Sequence, residues 1–563
     1  MIKRTTTFIL LCTALQVSAS SDALNPAFPI NETAFSTDEA RRTLQDSSRE
    51  IDQLIEERRH QGLMNRTDSV SPQTVSPVLK EAPPCLAVKG VYLQGITLLS
   101  LKDLHTLSAL PDSCITSNDI NKLSAEITNL YIAKGYITAR IQFIPPNTNG
   151  ELGINVVEGF VEAIEGDDRW VNSQTLFPHL TNKPLNLNQL DQGLDQANRL
   201  QSNKTTLDIL PGTVNGGSIV RLHNQHASPW RITTTTDNYG QKNTGKWITR
   251  LNASVDSPLG LSDFVSLSGA STVDKPNTQY NRAYTFLYSL PYGAVTLSGF
   301  NSYSQYTSHP RLKINSAKLY GNSQQTGMRA DWVFHRNQSQ ISTLNAQFIY
   351  KNYTNHFQDA RLTVSSQTLS VLELGISHLQ LIPSGVISLN MSIERGMPWF
   401  GAQTSTASLN KQFTKGKFSA NLQQRFTLFD MPYQFSSQFY TQYSKSGLPG
   451  VEWITMTDRN AVRGFSKNVS SADNGWYLRN TLSHSIPIGK GSLSLRTGVD
   501  IGQVKGYRSQ DGWKSSAGLS AGLTLRYQQL FADVEVSRGR LLSHQNRDTD
   551  EPMQLLTRFS YTF

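Results

Sequence analysis

The stretch from Asp458 to Lys467 reads Asp-Arg-Asn-Ala-Val-Arg-Gly-Phe-Ser-Lys, and its centre, Val462-Arg463-Gly464-Phe465, carries a cation on a Gly-containing turn. A guanidinium stays charged and offers a planar fork of N–H donors that suits a carboxylate. Gly464 gives the backbone freedom to turn beside it. A candidate carboxylate stands one strand-like segment later, in Gly498-Val499-Asp500. The chemistry on offer is ion pairing rather than bond making. The histidines are scattered, and neither a His-Glu-x-x-His run nor a phosphate-binding Gly loop occurs. Ser-x-x-Lys matches carry no weight in so Ser-rich a chain. We therefore expect no enzyme, no metal site and no cofactor. Whether Arg463 and Asp500 meet depends on the elements that carry them.

On the segment near 492–502, Leu493, Leu495, Thr497 and Val499 fall on one face and Ser494, Arg496, Gly498 and Asp500 on the other. Asp500 could pair with Arg496 on its own face, be solvated, or receive Arg463. The same alternation fills the chain from Trp230 onward. From Ala517 to Gln528, Ala517, Leu519, Ala521, Leu523, Leu525 and Tyr527 share one face, and Gly518, Ser520, Gly522, Thr524, Arg526 and Gln528 the other. The region is large for one sandwich. Its segments have the length that spans a bilayer at a tilt, and the chain ends on an alternating strand with Phe559, Tyr561 and Phe563. These features predict an antiparallel outer-membrane β-barrel over 230–563, with apolar faces in lipid and Asp500 in the lumen. Sixteen strands are expected, near 230–239, 245–256, 262–271, 281–290, 293–305, 322–335, 340–353, 367–379, 385–395, 407–427 and 434–445, then 475–486, 492–502, 515–527, 529–538 and 553–563. The long loop 446–474 carries Val462 to Phe465.

Composition agrees with a wet barrel rather than a helical membrane protein. Of 563 residues only 38% are hydrophobic, mean hydropathy is −0.37, and no apolar run is long enough for a transmembrane helix. Lys3 and Arg4, the apolar stretch Phe8 to Leu15 and Val17-Ser18-Ala19 form a secretory signal over 1–19. Its removal takes the formal charge from +9 to +7. Basic residues do not cluster with aromatics, so nucleic acid is not expected as a partner. Cys85 and Cys114 remain in the mature chain. In an exported protein, with no second local ligand pair for a metal, they most simply form one disulfide.

Between signal and barrel lie four further units. Ser36 and Glu39 form a capping-box pattern that opens a helix over 36–60. It is too polar to bury a stripe in an ordinary core, leaving a solvated arm or a helix in a wet cavity. Residues 61–82 are a Ser/Thr/Pro-rich linker. Residues 83–159 alternate as β-α-α-β-β: a strand from Leu86 to Thr97, helices over 101–110 and 117–134, strands over 136–143 and 151–157. Residues 160–229 repeat the plan, with Asn186 capping a helix through Leu200.

Here the segments Lys134 to Ile141 (Lys-Gly-Tyr-Ile-Thr-Ala-Arg-Ile) and Gly150 to Gly159 (Gly-Glu-Leu-Gly-Ile-Asn-Val-Val-Glu-Gly) resemble a POTRA domain of the ShlB type. Val-Arg-Gly-Phe on a long loop, followed one strand later by Gly-x-Asp, resembles the hallmark of TpsB transporters of the Omp85 superfamily, in the haemolysin activator branch. The resemblance covers nearly the whole mature chain. It implies that the loop folds into the barrel, that Arg463 meets Asp500 with Gly498 beside it, that residues 36–60 plug the lumen, and that Phe563 is an outer-membrane assembly signature. It further implies an outer-membrane transporter of two-partner secretion, with its POTRA domains in the periplasm. The partner would be a secreted TpsA-type exoprotein, haemolysin-like, held at free POTRA sheet edges. The surroundings would be outer-membrane lipid, and periplasmic chaperones would be further partners. A contact-dependent inhibition toxin or a filamentous adhesin is the alternative cargo. A barrel-assembly insertase, or a porin or receptor, fits the N-terminal plan less well.

Overall fold

In a computed structural model the protein is described at residues 32–64, 84–111, 114–275, 277–309, 317–337, 339–404, 411–466, 469–507, 509, 512–543 and 551–563. The expected signal and nearly all of the linker lie outside these residues. The chain begins with a long helix, α1 (Glu32–Met64). It starts before Ser36, so Ser36 lies inside the helix rather than at its cap. Glu39, expected to close the capping box, instead accepts a hydrogen bond from Asn281 Nδ2 on the barrel wall at 3.1 Å. The first residues of the expected linker, 61–64, are helical too. Tertiary contact with the wall holds Glu39 in place.

Next come β1 (Gly90–Gln94), α2 (Leu101–Leu104), α3 (Ser117–Ala133), β2 (Arg140–Ile144) and β3 (Glu151–Val157). They form a sheet in the order β1-β3-β2 under α3, around Leu123, Ile127, Tyr131, Ile154 and Val156. Cys85 and Cys114 are disulfide-bonded, with Cα atoms 5.3 Å apart. The helix expected over 101–110 is one turn only. Its Ser100–Asp103 capping box is intact, but Thr106 Oγ1 turns back to the Asp103 carbonyl at 2.6 Å, and Ser108 donates to Glu126 instead of continuing the helix. The strand expected from 136 begins at Arg140.

The second unit holds β4 (Phe160–Glu165), α4 (Ser173–Leu176), α5 (Leu187–Asn198), β5 (Asn203–Pro211) and β6 (Gly217–His226), with the sheet ordered β4-β6-β5. Asn186 caps α5, as its sequence position suggests, with its side chain accepting from Asn188 N. The short α4 has no signal in the apolar periodicity.

The barrel follows: β7 (Trp230–Asp237), β8 (Ile248–Asp256), β9 (Phe264–Thr272), β10 (Tyr280–Tyr292), β11 (Val295–Ser308), β12 (Leu319–Arg336) and β13 (Gln340–Phe357). After the two-residue β14 (Ala360–Arg361) come β15 (Gln367–Ile382), β16 (Gly385–Met397), β17 (Thr414–Leu428) and β18 (Met431–Ser444). The long loop contains β19 (Ile454–Thr455) and β20 (Ser471–Ala472), paired only with each other. Then β21 (Asn474–Ile488), β22 (Gly491–Lys505), β23 (Lys514–Tyr527), β24 (Leu530–Leu541) and β25 (Gln554–Thr562) complete the wall, and β25 pairs with β7 to close it. All sixteen expected barrel strands are present in one closed antiparallel barrel. The strand expected over 407–427 starts at Thr414; residues 405–410 lie outside the described ones.

The faces are those the alternation predicts. Leu495, Val499, Leu519 and Leu523 are exposed on the outer wall, while Asp500, Ser516 and Thr524 are buried inside. Outside, apolar atoms face hydrocarbon; inside, polar groups find partners on whatever fills the lumen. The filling is α1. Its Ala40 and Leu44 pack on Tyr353, Leu369 and Val371, and its Ile51 on Phe264, Phe300 and Ile349. Charge pairs run down it: Asp52 to Arg329 at 3.1 Å and Arg59 to Asp331 at 2.9 Å. The polar helix lies in a wet cavity rather than projecting as an arm.

Candidate functional site

The loop between β18 and β21 folds inward. Its β19–β20 pair stands it up, and Ile454, Met456, Ala461, Val462 and Phe465 pack with Tyr477 and Val504 of the wall. Val462 and Phe465 are thus the apolar feet of the tip, and Arg463 between them is driven toward the wall. The Val462 N–H donates to the Met456 carbonyl at 2.9 Å, fixing the turn.

Arg463 is 2% exposed and Asp500 0%. Nε donates to Asp500 Oδ2 at 2.6 Å, Nη2 to Oδ1 at 2.6 Å, and the Arg463 backbone N–H to Oδ2 at 3.1 Å. Nη2 also donates to the Asn480 carbonyl at 2.9 Å, and Glu535 lies 3.8 Å from Nη1. Burying both ions is costly, and only so complete a set of partners makes it tolerable. Arg496 is not the local partner of Asp500. It turns to Asp533 at 2.5 Å.

The seat around this pair is made of glycines. Register places Asp500 opposite Gly518, and Gly518 opposite Gly539, in one row across β22, β23 and β24. A Cβ on Gly518 would lie 2.3 Å from the Arg463 carbonyl oxygen, and one on Gly539 2.4 Å from the Phe465 ring. On Gly498 it would meet Arg463 Nη2 at 2.1 Å. Gly464 has φ +89°, and its Cβ would meet the Arg538 carbonyl carbon at 2.2 Å. Its carbonyl accepts from Gly539 N at 2.8 Å, so loop and wall touch backbone to backbone. The wall is bare where the tip rests. Sequence reading named Gly464 and Gly498 but missed Gly518 and Gly539. The available signal was Gly518 on the lumen face, one strand beyond Asp500.

Three further contacts hold the loop, and none was expected. At its base Glu452 is buried and shared by Lys351 and Lys415, each at 2.6 Å. Lys415 also reaches Glu394 at 3.0 Å, and Lys417 bridges Glu394 and Glu373. On the plug side Arg49 meets Asp458 at 3.1 Å, Gln45 Nε2 donates to the Trp453 carbonyl at 2.8 Å, and Arg41 Nε donates to Thr455 Oγ1 at 3.2 Å. Beyond the tip, the Ser466 N–H donates to Glu551 at 2.9 Å. Beside α1 the lumen keeps a cavity of about 980 Å³, lined by Gln45, Ser48 and Asp52 on one side and Asn421, Gln438 and Thr481 on the other.

Elsewhere, Phe563 is exposed and its N–H donates to the Ile232 carbonyl at 2.9 Å, at the seam where the barrel closes. α5 docks the second small unit on the barrel mouth: Arg336 pairs with Asp195 at 2.5 Å and Asp191 at 3.2 Å. Arg58 of α1 lies over the Phe264 ring and donates to the Arg199 carbonyl at 3.3 Å, tying plug, docked unit and wall together.

A closed barrel with a plug helix, an inward loop pinned to its wall and two small α+β units at its mouth defines an outer-membrane protein transporter of the two-partner secretion type. Residues 216–525 match the family described as haemolysin secretion/activation protein ShlB/FhaC/HecB, residues 86–159 a ShlB-type POTRA domain and residues 160–211 a POTRA domain. The chain belongs to the ShlB/FhaC/HecB family. It is 55% identical over 565 residues to the hemolysin transporter protein ShlB of Serratia marcescens, covering 100% of each chain. It is 53% identical to the hemolysin transporter protein HpmB of Proteus mirabilis, covering 94% of this chain and 95% of that one. The solved structure of CdiB from Escherichia coli superposes with TM-score 0.80 at 27% identity, over 97% of this chain and 100% of that one. The POTRA domains therefore lie in the periplasm and the loop enters the lumen from the outer side.

Proposed function

We propose that the protein exports, and activates on the way, a haemolysin-like exoprotein. The observation that supports this reading is a lumen filled, among the described residues, by helix α1 and the loop rather than by the wall itself. Beside their apolar contacts, helix α1 and the loop are joined to the wall and to each other by many polar and ionic contacts, which water can replace as they are withdrawn. The haemolysin cargo is inferred from the two hemolysin transporter relatives, at 55% and 53% identity, against 30% for the Escherichia coli relatives named outer membrane transporter CdiB.

In this reading the unfolded secretion domain adds a strand to the first POTRA sheet. The outer edge of β2 has no backbone partner among the described residues and carries the exposed Phe143, whereas β4 of the second sheet is covered along Val161 by the Lys183 carbonyl. Main-chain hydrogen bonds would give affinity and alternate side chains selectivity. The helix then leaves, the loop adjusts, and the cargo threads outward and folds at the surface. No nucleotide enters the scheme.

The test is co-expression with a haemolysin-like exoprotein, an inhibition toxin and a filamentous adhesin, each with its own secretion domain. Haemolytic activity should appear in the medium only with the first. Equal export of all three would overturn the cargo assignment, and export of none would overturn the transport reading.

A further inference from the structure

On the outer wall, at the extracellular end, Phe348, Leu372 and Arg395 sit in one row. Register pairs Phe348 with Leu372 and Leu372 with Arg395 across β13, β15 and β16. All three alternate with lumen residues: Lys351, Glu373 and Glu394 point in. Below Arg395 on the same outer face come Ile393, Met391 and Leu389, so it stands at the upper edge of the lipid-facing band. Arg395 is exposed and makes no ion pair or side-chain hydrogen bond among the described residues.

A hook overhangs this row. Just beyond β16, the Trp399 carbonyl accepts from Ser370 Oγ at 2.9 Å and from Ala402 N at 3.0 Å. Gln403 then exchanges both backbone hydrogen bonds with Thr368, and Lys411 Nζ donates to the Ala402 carbonyl at 3.3 Å. Pinned this way, Phe400 takes φ +52° and Gly401 +72°. A bulky side chain in the left-handed region is strained, and it persists only where surrounding contacts enforce it. Here the strain presents Trp399, 43% exposed, and Phe400, 72% exposed, rather than burying them. Their rings approach Phe348 at 6.0 and 5.5 Å between centroids, and with Leu372 they bound an open cleft of about 600 Å³. An apolar cleft on the outer wall, with a guanidinium beside Leu372 and a lysine bound to its hook, matches a molecule with both acyl chains and phosphate.

We propose that this cleft binds a phosphorylated, multiply acylated glycolipid of the outer leaflet, the lipid A part of lipopolysaccharide. One acyl chain lies between Phe348, Leu372, Trp399 and Phe400, and a headgroup phosphate takes the fork of Arg395. The bound lipid stiffens the outer rim of β13, β15 and β16, the strands whose inner faces hold the lysine–glutamate cluster at the base of the loop.

Native mass spectrometry of the purified full chain in mild detergent, with lipid A added, tests this. Arg395→Gln should lower bound lipid A by about five-fold or more, and Arg395→Lys should retain most of it. The pair Trp399→Ala with Phe400→Ala should lower it by a similar factor, about five-fold. Leu519→Ala, on the outer face of a distant strand, should leave binding unchanged. Heat-modifiable gel migration shows that each variant is folded. Dephosphorylated lipid A should bind as weakly as Arg395→Gln does. Equal retention by Arg395→Gln and wild type overturns the phosphate assignment. Displacement of lipid A by inorganic phosphate alone overturns the acyl assignment, and equal binding of phosphatidylglycerol overturns the choice of lipid.

Discussion

Arg463 gives both arms of its guanidinium fork and its own backbone N–H to the single carboxylate of Asp500. Removing either partner leaves an uncompensated buried charge, which costs about 3–5 kcal/mol. Arg463→Asp is therefore expected to unseat the loop tip and abolish export. Adding Asp500→Arg should restore part of it. Rescue is partial because the new arginine would face the residue 463 N–H, while an aspartate at 463 would lie beside Glu535. Exoprotein in the culture medium is the readout. A double variant no better than the single one would show that pairing is not what the two residues supply.

Gly518→Val tests the seat without touching a charge. Gly518 does not have a positive φ, and valine is at home in a strand, so β23 itself should tolerate the change. The added carbons would strike the Arg463 backbone, which cannot move while its side chain holds Asp500. The barrel should still fold, shown by heat-modifiable migration, while export falls by about ten-fold or more, the effect of losing over 1.4 kcal/mol of loop seating. Gly416→Val, where an added Cβ meets nothing within 4 Å, is the matched control and should export normally.

The barrel is legible in the sequence because its code is period two. From Ala517 to Gln528 each residue's face follows from its neighbours, and the same alternation along 492–502 is enough to put Asp500 in the lumen. That Arg463 reaches it is legible only through resemblance, since alternation says nothing about where a loop of this length goes. Gly518 and Gly539 are legible as lumen-face glycines but not as a seat, because nothing in the alternation of their own strands says that a loop tip rests there. Glu452, Lys351 and Lys415 come from three distant segments and read as ordinary solvated charges. The start of α1 is misleading because Ser36 and Glu39 imitate a cap, whereas Glu39 is bound by Asn281 on the wall.

Glu452→Gln should weaken the base of the loop more than the tip. Two lysines share this carboxylate, and neutralising it leaves Lys351 with no carboxylate at ion-pairing distance among the described residues, Glu394 acting on it only from farther off. A loss of about 3 kcal/mol is expected, read as a lower temperature for the folded-to-unfolded gel shift. Adding Lys351→Met removes the orphaned charge and should recover much of the loss. No recovery would mean that the carboxylate matters for its hydrogen bonds rather than its charge.

The first POTRA domain carries an acid-sensitive joint. Lys134 Nζ lies 2.5 Å from Asp103, and with the Ser100 donors it holds that carboxyl down at about 2. An unfolded aspartate titrates at about 3.9. The folded value is the lower one, so the contribution is fully present above pH ~4 and is lost as pH falls toward 2. Glu158 follows the same sign: burial acts to raise it, but donors from Thr97, Tyr131 and Leu98 outweigh burial and hold it below the usual range. Pepsin digestion at decreasing pH should therefore cut this domain only near the acid end, and Lys134→Met should move the onset upward. An identical digestion profile for the two proteins would remove Asp103 from the account.

Helix α1 and the loop share their fate through Arg49 and Asp458, 3.1 Å apart and each partly screened by water. Such a pair is worth about 1 kcal/mol, enough to change the open population about five-fold but not to hold the plug alone. Arg49→Glu should therefore raise the frequency of open events in planar bilayers by about that factor, while leaving the conductance of each event unchanged. Deleting residues 32–64 should raise the conductance itself, because the helix fills the lumen that the current would use. The two effects separate gating from occlusion. Arg49→Glu with Asp458→Arg should return the opening frequency toward wild type if the pair couples helix to loop. If the deletion leaves conductance unchanged, the current bypasses α1, and the loop seated by Arg463 on Asp500 is the barrier instead.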